Sequence, residues 1–246
     1  MFNYLIKIEY DGSKFVGWQF QKNGRSVQSE IERALKKIFK IKLKICGAGR
    51  TDKGVHASGQ HANFIVENEI KDKKIFLNSI NFFLRKKSIS IIDLKKKNLN
   101  FHARFSAKER VYKYLIINRY GSLVLDKDKA WHIRKKIDLN LLKKGGKIFE
   151  GIHDFSTYRS SSCTAKSPIK KMNLVNIQRR GEKIFLIFKS KSFLQNQIRS
   201  MVGCLYQLSS KKWTLKKFKK VFKLKKRSLC APPAPACGLY LENIKY

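Results

Sequence analysis

Residues 46–59 read CGAGRTDKGVHASG, set between IKLKICG (residues 41–47) and QHANFIVE (residues 60–67). The flanking runs are rich in isoleucine, leucine, valine and phenylalanine, and each reads as a β-strand. The segment between them holds three glycines in eight residues, Gly47, Gly49 and Gly54, followed by His56. Glycine accepts left-handed dihedrals and lets backbone approach a neighbour closely, so these spacings predict a tight exposed loop. A polar loop carried by two strands is a place where a rigid scaffold presents chemistry.

Two familiar glycine loops are excluded by the residues themselves. A dinucleotide fingerprint needs a third glycine where Asp52 stands, and no helical pattern follows. A phosphate loop needs Gly-Lys-Ser/Thr, whereas the order here is Lys53-Gly54-Val55. One carboxylate remains, Asp52, with Arg50 two residues before it and on the same side of an extended segment. A carboxylate paired with arginine stays ionised well below neutral pH and can serve as a nucleophile. The same spacing fits an Asp–Arg bridge that only braces a turn.

With 246 residues the chain can hide roughly 70–75% of its unfolded surface, enough for one or two cores. Lysine and arginine total 55 against 17 acidic residues, a formal charge of +38. An enzyme of small neutral metabolites has no use for such a field, and a polyanionic partner does. Abundant lysine, isoleucine, asparagine and phenylalanine also fit the drift of an AT-rich genome, so charge supports a nucleic acid without identifying it. The five cysteines, Cys46, Cys163, Cys204, Cys230 and Cys237, show no CxxC or paired-histidine spacing. That argues against zinc and against a disulfide framework, and places the chain in a reducing, cytoplasmic setting. The first residues, MFNYLIKIEY, carry charge within their apolar run and read as a strand rather than a signal peptide. No apolar run is long enough to span a membrane.

Along the chain, residues 3–9 alternate as a strand. Ser26 is a fair cap for a helix in which Val27, Ile31, Leu35 and Ile38 form one stripe. Glu30 and Glu32 lie early in it and Lys36, Lys37 and Lys40 late, as a helix dipole favours. After the two strands around the Asp52 loop come a helix at 73–84 and a strand at 88–97. This β-α-β-β-α-β order is the ferredoxin-like signature. The second half repeats the pattern: a strand at 110–118, a helix at 139–149, strands at 169–179 and 183–189, a helix at 193–208, and a strand at 239–244. The expected class is therefore α+β, two ferredoxin-like units with a mainly antiparallel sheet and a basic cleft, divided as 1–100 and 101–246.

The second half adds candidates of its own. FHARFSAKERVYKYLI brings His102, Arg104, Lys108, Arg110 and Tyr112 around one strand entrance. Tyr112 and Tyr114 face the same side of that strand, and Tyr112 fits either a base-stacking ring or an ordinary core aromatic. Residues 151–168 read as a long polar insertion. On the helix at 193–208, Arg199 lies off the apolar face; it fits a phosphate contact, a partner for Asp52, or a solvated arginine. Residues 211–227 read as a basic helix with Trp213, Leu215, Phe218, Val221, Phe222 and Leu224 on its packing side. APPAPACG (231–238) then reads as a rigid proline loop.

GAGRTDKGVHA resembles the active-site motif of the TruA family of tRNA pseudouridine synthases, and nearly the whole chain supports the likeness. YDGSKFVGWQ, FHARFSAKERVYKY, HDFSTYR, FLQNQIRSMVG and GLYL occur in the family's order. The resemblance implies a pseudouridine synthase fold and an isomerase that makes pseudouridine at positions thirty-eight to forty of the tRNA anticodon stem-loop, without cofactor or metal. It implies Asp52 as the catalytic aspartate, Arg50 as its positioning residue and an RNA contact, and Tyr112 packed on the target base. Arg199 would pair with Asp52, and Leu239 with Gly238 would line the pocket wall. It also implies a homodimer. Three routes fit one carboxylate: attack at C1′, addition at C6, or proton abstraction at C2′ to give a glycal. The departures are Lys53 after the aspartate, Thr157-Tyr158 in place of Ser-Phe, and Gln197 in place of an apolar residue, all bearing on substrate range.

Two other classes fit the residues less well. An inert RNA-binding protein built on RNA-recognition units lacks the aromatic strand motif such units carry. A nuclease needs clustered carboxylates for metal, which Asp52 lacks, and a methyltransferase needs the nucleotide-binding glycine turn excluded above.

Overall fold

A computed structural model describes residues 1–22 and 24–246. Within them the chain forms two compact units, Met1–Lys108 with Tyr240–Tyr246, and Glu109–Leu239. The division differs from the expected 1–100 and 101–246 in two places: the first unit continues to Lys108, and the last strand belongs almost wholly to it.

The first unit contains β1 (Phe2–Tyr10), α1 (Val27–Phe39), β2 (Cys46–Gly47), β3 (His56–Val66), α2 (Lys73–Leu84) and β4 (Ile89–Lys97). Strand β1 lies between β3 and β4 and is antiparallel to both, with Phe2 opposite Val66 and Asn3 opposite Lys97. The other edge of β3 is shared. Cys46 and Gly47 of β2 pair with Asn63 and Ala62, while Tyr240 and Leu241 run parallel to His56 and Ala57. Ser26 caps α1 by accepting from Ser29 N–H, and Lys40 ends it with φ of 61°. Its apolar stripe buries Ile31 and Leu35 completely, each stabilising by about 1.5–3 kcal/mol. Asp72 caps α2, whose bounds agree with the sequence reading.

One expected strand does not form at full length. IKLKICG pairs with β3 only at Cys46–Gly47. Just before it, Ile45 donates its N–H to Glu32 Oε1 on α1 at 3.1 Å. A side chain satisfies that donor, and residues 41–45 form no ladder.

The second unit contains β5 (Glu109–Asn118), β6 (Trp131–Ile133), α3 (Leu139–Lys147), β7 (Gly151–Asp154), β8 (Ile169–Arg180), β9 (Lys183–Ser190), α4 (Gln197–Ser209) and α5 (Leu215–Lys223). The antiparallel order is β5–β9–β8–β7, and β6 joins β5 in parallel. The final strand, β10 (Leu239–Lys245), begins at the end of this unit and runs into the first. The core collects Tyr114, Phe149, Phe155, Leu186, Phe188, Met201, Leu205 and Phe218, all fully buried.

Four sequence readings are corrected here. The insertion at 151–168 is partly ordered: β7 pairs with β8, and a short helical turn spans Ser156–Tyr158. Phe155 and Tyr158 anchor it in an aromatic cluster with Phe149 and Phe222. Helix α4 starts at Gln197 rather than residue 193, because Asn196 is left-handed at φ of 61°. Helix α5 is shorter than 211–227: Thr214 caps it, and Lys211, at φ of 61°, ends the preceding segment. Leu224, expected on its packing side, is exposed. Strand β6 carried too few residues to be read.

Candidate active site

The Asp52 loop is built from the first unit's backbone. Trp18 N–H donates to Thr51 O at 3.0 Å, and Gly17 forms an antiparallel bridge with Asp52. Gly17 has φ of +129°, and a side chain there would meet Thr51 O at 2.7 Å, so the approach requires glycine. The YDGSKFVGWQ segment is in turn tied to the start of α1: Val27 N–H donates to Gly17 O (3.2 Å) and Gln28 N–H to Trp18 O (3.0 Å). These amides are among the first-turn donors that a helix leaves unsatisfied. Helix α1 thus holds the segment that holds Asp52.

Side chains complete the support. Tyr10 at the end of β1 and Thr51 share a buried hydroxyl–hydroxyl hydrogen bond of 2.7 Å. Gln60 donates to Gly49 O at 2.7 Å, and Val55 N–H donates to Asp52 O at 3.2 Å, closing the turn at Gly54 (φ of +78°). His56 is buried and accepts from Gly12 N–H through Nδ1 at 3.0 Å, with Asp11 Oδ1 3.2 Å away; its ring stacks on Tyr240 at 4.8 Å. Tyr10, Gly17, Trp18, Thr51 and Gln60 are supporting residues that sequence reasoning did not single out. Tyr10, Gly17 and Trp18 lie in YDGSKFVGWQ, whose Gly12 and Gly17 face this loop.

Asp52 is partly exposed and Arg50 exposed. Backbone bridging and the Thr51–Tyr10 bond hold this loop.

In the second unit, Tyr112 lies on β5 opposite Phe188 and meets the edge of Phe193, ring centroids 5.2 Å apart. It is buried to 8% exposure. Tyr114, on the same side, is fully buried and donates its hydroxyl to Pro235 O at 2.7 Å. Burial lifts its phenol well above the usual value. Arg199, half-buried on the first turn of α4, donates Nε–H to Ala234 O (2.8 Å) and contacts Asn196 Oδ1 at 3.3 Å, while Ala234 N–H donates back to Arg199 O (2.9 Å). It is a fixed residue pinning the proline loop, not a solvated arginine. Leu239 is buried where β10 begins. Of the basic strand entrance, Arg110 is buried and donates to Lys191 O.

Gln197, read from sequence as bearing on substrate range, has a local structural task. It is fully buried, and its Oε1 accepts from Leu194 N–H at 2.8 Å, closing the turn before α4. No group of three or more histidine, cysteine or acidic residues that could hold a metal ion occurs among the described residues. None of the described helices is long and apolar enough to cross a membrane.

The site is thus a polar loop with one partly exposed carboxylate, clamped by backbone in an α+β unit. Comparison with known proteins then names the family. The model of a tRNA pseudouridine synthase family matches residues 6–106 and 147–246. A tRNA pseudouridine synthase A of Pelagibacter ubique is 54% identical over the full length of both chains. Proteins of the same name from Parvibaculum lavamentivorans and Maricaulis maris are 41% and 40% identical, covering 99% of this chain and 98% and 97% of theirs. The chain belongs to the tRNA pseudouridine synthase family and is an isomerase. A chain in a crystal structure of a Cbf5-Nop10-Gar1 complex superposes with TM-score 0.34 over 82% of this chain and 53% of its own length, at 12% identity, a likeness too distant to bear on function.

Proposed function

We propose that this chain converts uridines thirty-eight to forty of the tRNA anticodon stem-loop to pseudouridine, with the Asp52 carboxylate as nucleophile. The observation that carries the reading is the Asp52 loop itself: the family's motif, held by the Gly17 bridge and the Thr51–Tyr10 bond. In the reaction the C1′–N1 bond breaks, a C1′–C5 bond forms, the C5 hydrogen leaves as a proton and N1 gains one. Nothing is oxidised or reduced, so one anionic nucleophile and a proton relay suffice, without cofactor or metal. Asp52 acts at C1′ of the sugar, at C6 of the base, or by taking the C2′ proton to give a glycal.

A paired, stacked uridine must be extruded before any carboxylate reaches it, at a cost of a few kcal/mol. Arg50, exposed on the loop, is suited to a backbone phosphate or to the space the base vacates. Tyr112 would pack on the extruded base, Arg199 would face the Asp52 carboxylate, and Leu239 would wall the pocket. The charge of +38 offsets the extrusion through phosphate contacts.

The reading extends to architecture. Both units are taken as ferredoxin-like, supported in the first by β2 and β4 flanking the β3–β1 pair with α1 and α2 as crossovers. The tRNA is taken to lie in a basic cleft of a homodimer in the cytoplasm. Mapping pseudouridine by carbodiimide modification and primer extension on tRNA transcripts treated with the purified chain tests the function. Stops that place pseudouridine only at positions thirty-eight to forty, each one nucleotide 3′ of the modified residue, are expected. Stops elsewhere, or none, would overturn it.

A further inference from the structure

Cys204 on α4 and Cys230, which follows the helical turn Arg227–Leu229, place their sulfurs 3.5 Å apart, both as free thiols. Neither belongs to the site described above. Cys204 is fully buried, whereas Cys230 is partly open to solvent. The surroundings are polar and positively charged: Arg227 donates to Ser200 Oγ at 3.0 Å, Cys230 Sγ lies 4.0 Å from Ser200 O, and Ala231 N–H donates to Cys204 Sγ at 3.4 Å. The Cys204 hydrogen bond, and after it the Arg227 guanidinium, hold the Cys230 thiol below its ordinary range against burial. Cys204 is pushed the other way, by its bond to Cys230 and by burial.

We propose that Cys204 and Cys230 form a thiol-oxidation site, in which peroxide converts the pair to a reversible disulfide that clamps residues 227–238 to α4. Cys230 has the three features of a reactive cysteine: access, a nearby cation and a stabilised thiolate. Its thiolate attacks one peroxide oxygen, giving a sulfenic acid and releasing hydroxide. Cys204 sulfur then displaces the sulfenic oxygen, which leaves with the Cys204 proton as water. Two thiols lose two electrons and two protons, and one peroxide becomes two waters. The sulfurs must close from 3.5 Å to about 2.05 Å. The clamped segment contains Ala234, which exchanges two hydrogen bonds with Arg199. Oxidation therefore restrains the backbone on which that arginine is set.

The test exposes the full-length protein to hydrogen peroxide and reads intact mass, cysteine-linked peptides and amide exchange. Loss of two hydrogens, a peptide joining Cys204 to Cys230, reversal by a dithiol, and slower exchange in 227–238 are expected. The bond should survive replacement of Cys46, Cys163 and Cys237 by serine and vanish in Cys230→Ala. Pairing through Cys46 or Cys237, oxygen gain at Cys230 without a link, or unchanged exchange in 227–238 would overturn the proposal. The wild-type mapping needs no variant, so a poorly folding substitution does not blur the result.

Discussion

Tyr158 shows how one atom can carry a residue's whole cost. Its hydroxyl is buried without a hydrogen-bond partner, inside a cluster of phenylalanines, and burial lifts its phenol well above the usual value. A phenylalanine fits that environment without the orphaned group, so Tyr158→Phe should raise stability by about 1–2 kcal/mol, read as a melting temperature higher by a few degrees. His61 is the second such residue: its Nδ1 is buried without a partner, and burial, then Lys7 and Lys95, lower its pKa from 6.5 to about 4, partly opposed by Asp93. The folded state keeps this imidazole neutral while the unfolded state protonates it. Stability should therefore be full above pH 6.5, fall between 6.5 and about 4, and lose nothing further from this group below that, by up to roughly 3 kcal/mol. Denaturant titrations across that window, compared with His61→Gln, should show the slope in the wild type and a flatter profile in the variant. At the Asp52 loop, Tyr10→Phe removes the hydroxyl from Thr51 Oγ1. The loss of about 1 kcal/mol of positioning should lower kcat roughly five- to tenfold with little change in KM. The family was legible in the sequence because the GAGRTDKGVHA motif is long and specific. Tyr10 and Thr51 were not, because a hydrogen bond across 41 residues leaves no local pattern.

Elements were readable where local chemistry decided them. Helix α2 agrees with the sequence reading, because Asp72 supplies a capping side chain and Phe76, Ile80 and Leu84 recur on one buried face. Helix α1 was equally clear in its stripe, but Glu30 was read as a dipole residue when it is also a carboxylate buried to 4% exposure among Arg33, Arg25 and Lys87. Replacing it with alanine leaves three cations around an emptied site, and Glu30→Ala should destabilise the protein by about 2–4 kcal/mol. Chemical denaturation monitored by circular dichroism checks this; a loss below 0.5 kcal/mol, the range of an ordinary surface change, would contradict it. Because α1 anchors the segment that bridges Asp52, a weakened α1 should also lower activity at temperatures where most molecules remain folded. Elements were misread where a distant group decided them. Glu32 takes the amide that would have extended β2, and the left-handed Asn196 delays α4 past an apolar pattern that runs continuously through it. Strand β6 is held by β5 rather than by any pattern of its own three residues.

At the scale of the whole molecule, the mixed α+β class with a mostly antiparallel sheet was legible, whereas the assignment of Tyr240–Tyr246 to the first unit was not, since strand pairing over such separation is set by the complete fold. The charge of +38 pointed to a polyanion, and it makes a quantitative demand. If phosphate contacts carry the affinity for tRNA, log K should fall linearly with log salt, by about 0.7–0.9 per phosphate neutralised. A flat response would make the lysines a feature of composition. The most direct single measurement is tritium release from tRNA labelled at uridine C5, without added metal or cofactor, for the wild type and Asp52→Asn side by side. Making pseudouridine displaces the C5 hydrogen, so release reports the isomerisation itself. The expected result is release by the wild type and none by the variant, with both folded and both binding tRNA; equal release by the two would contradict Asp52 as the nucleophile.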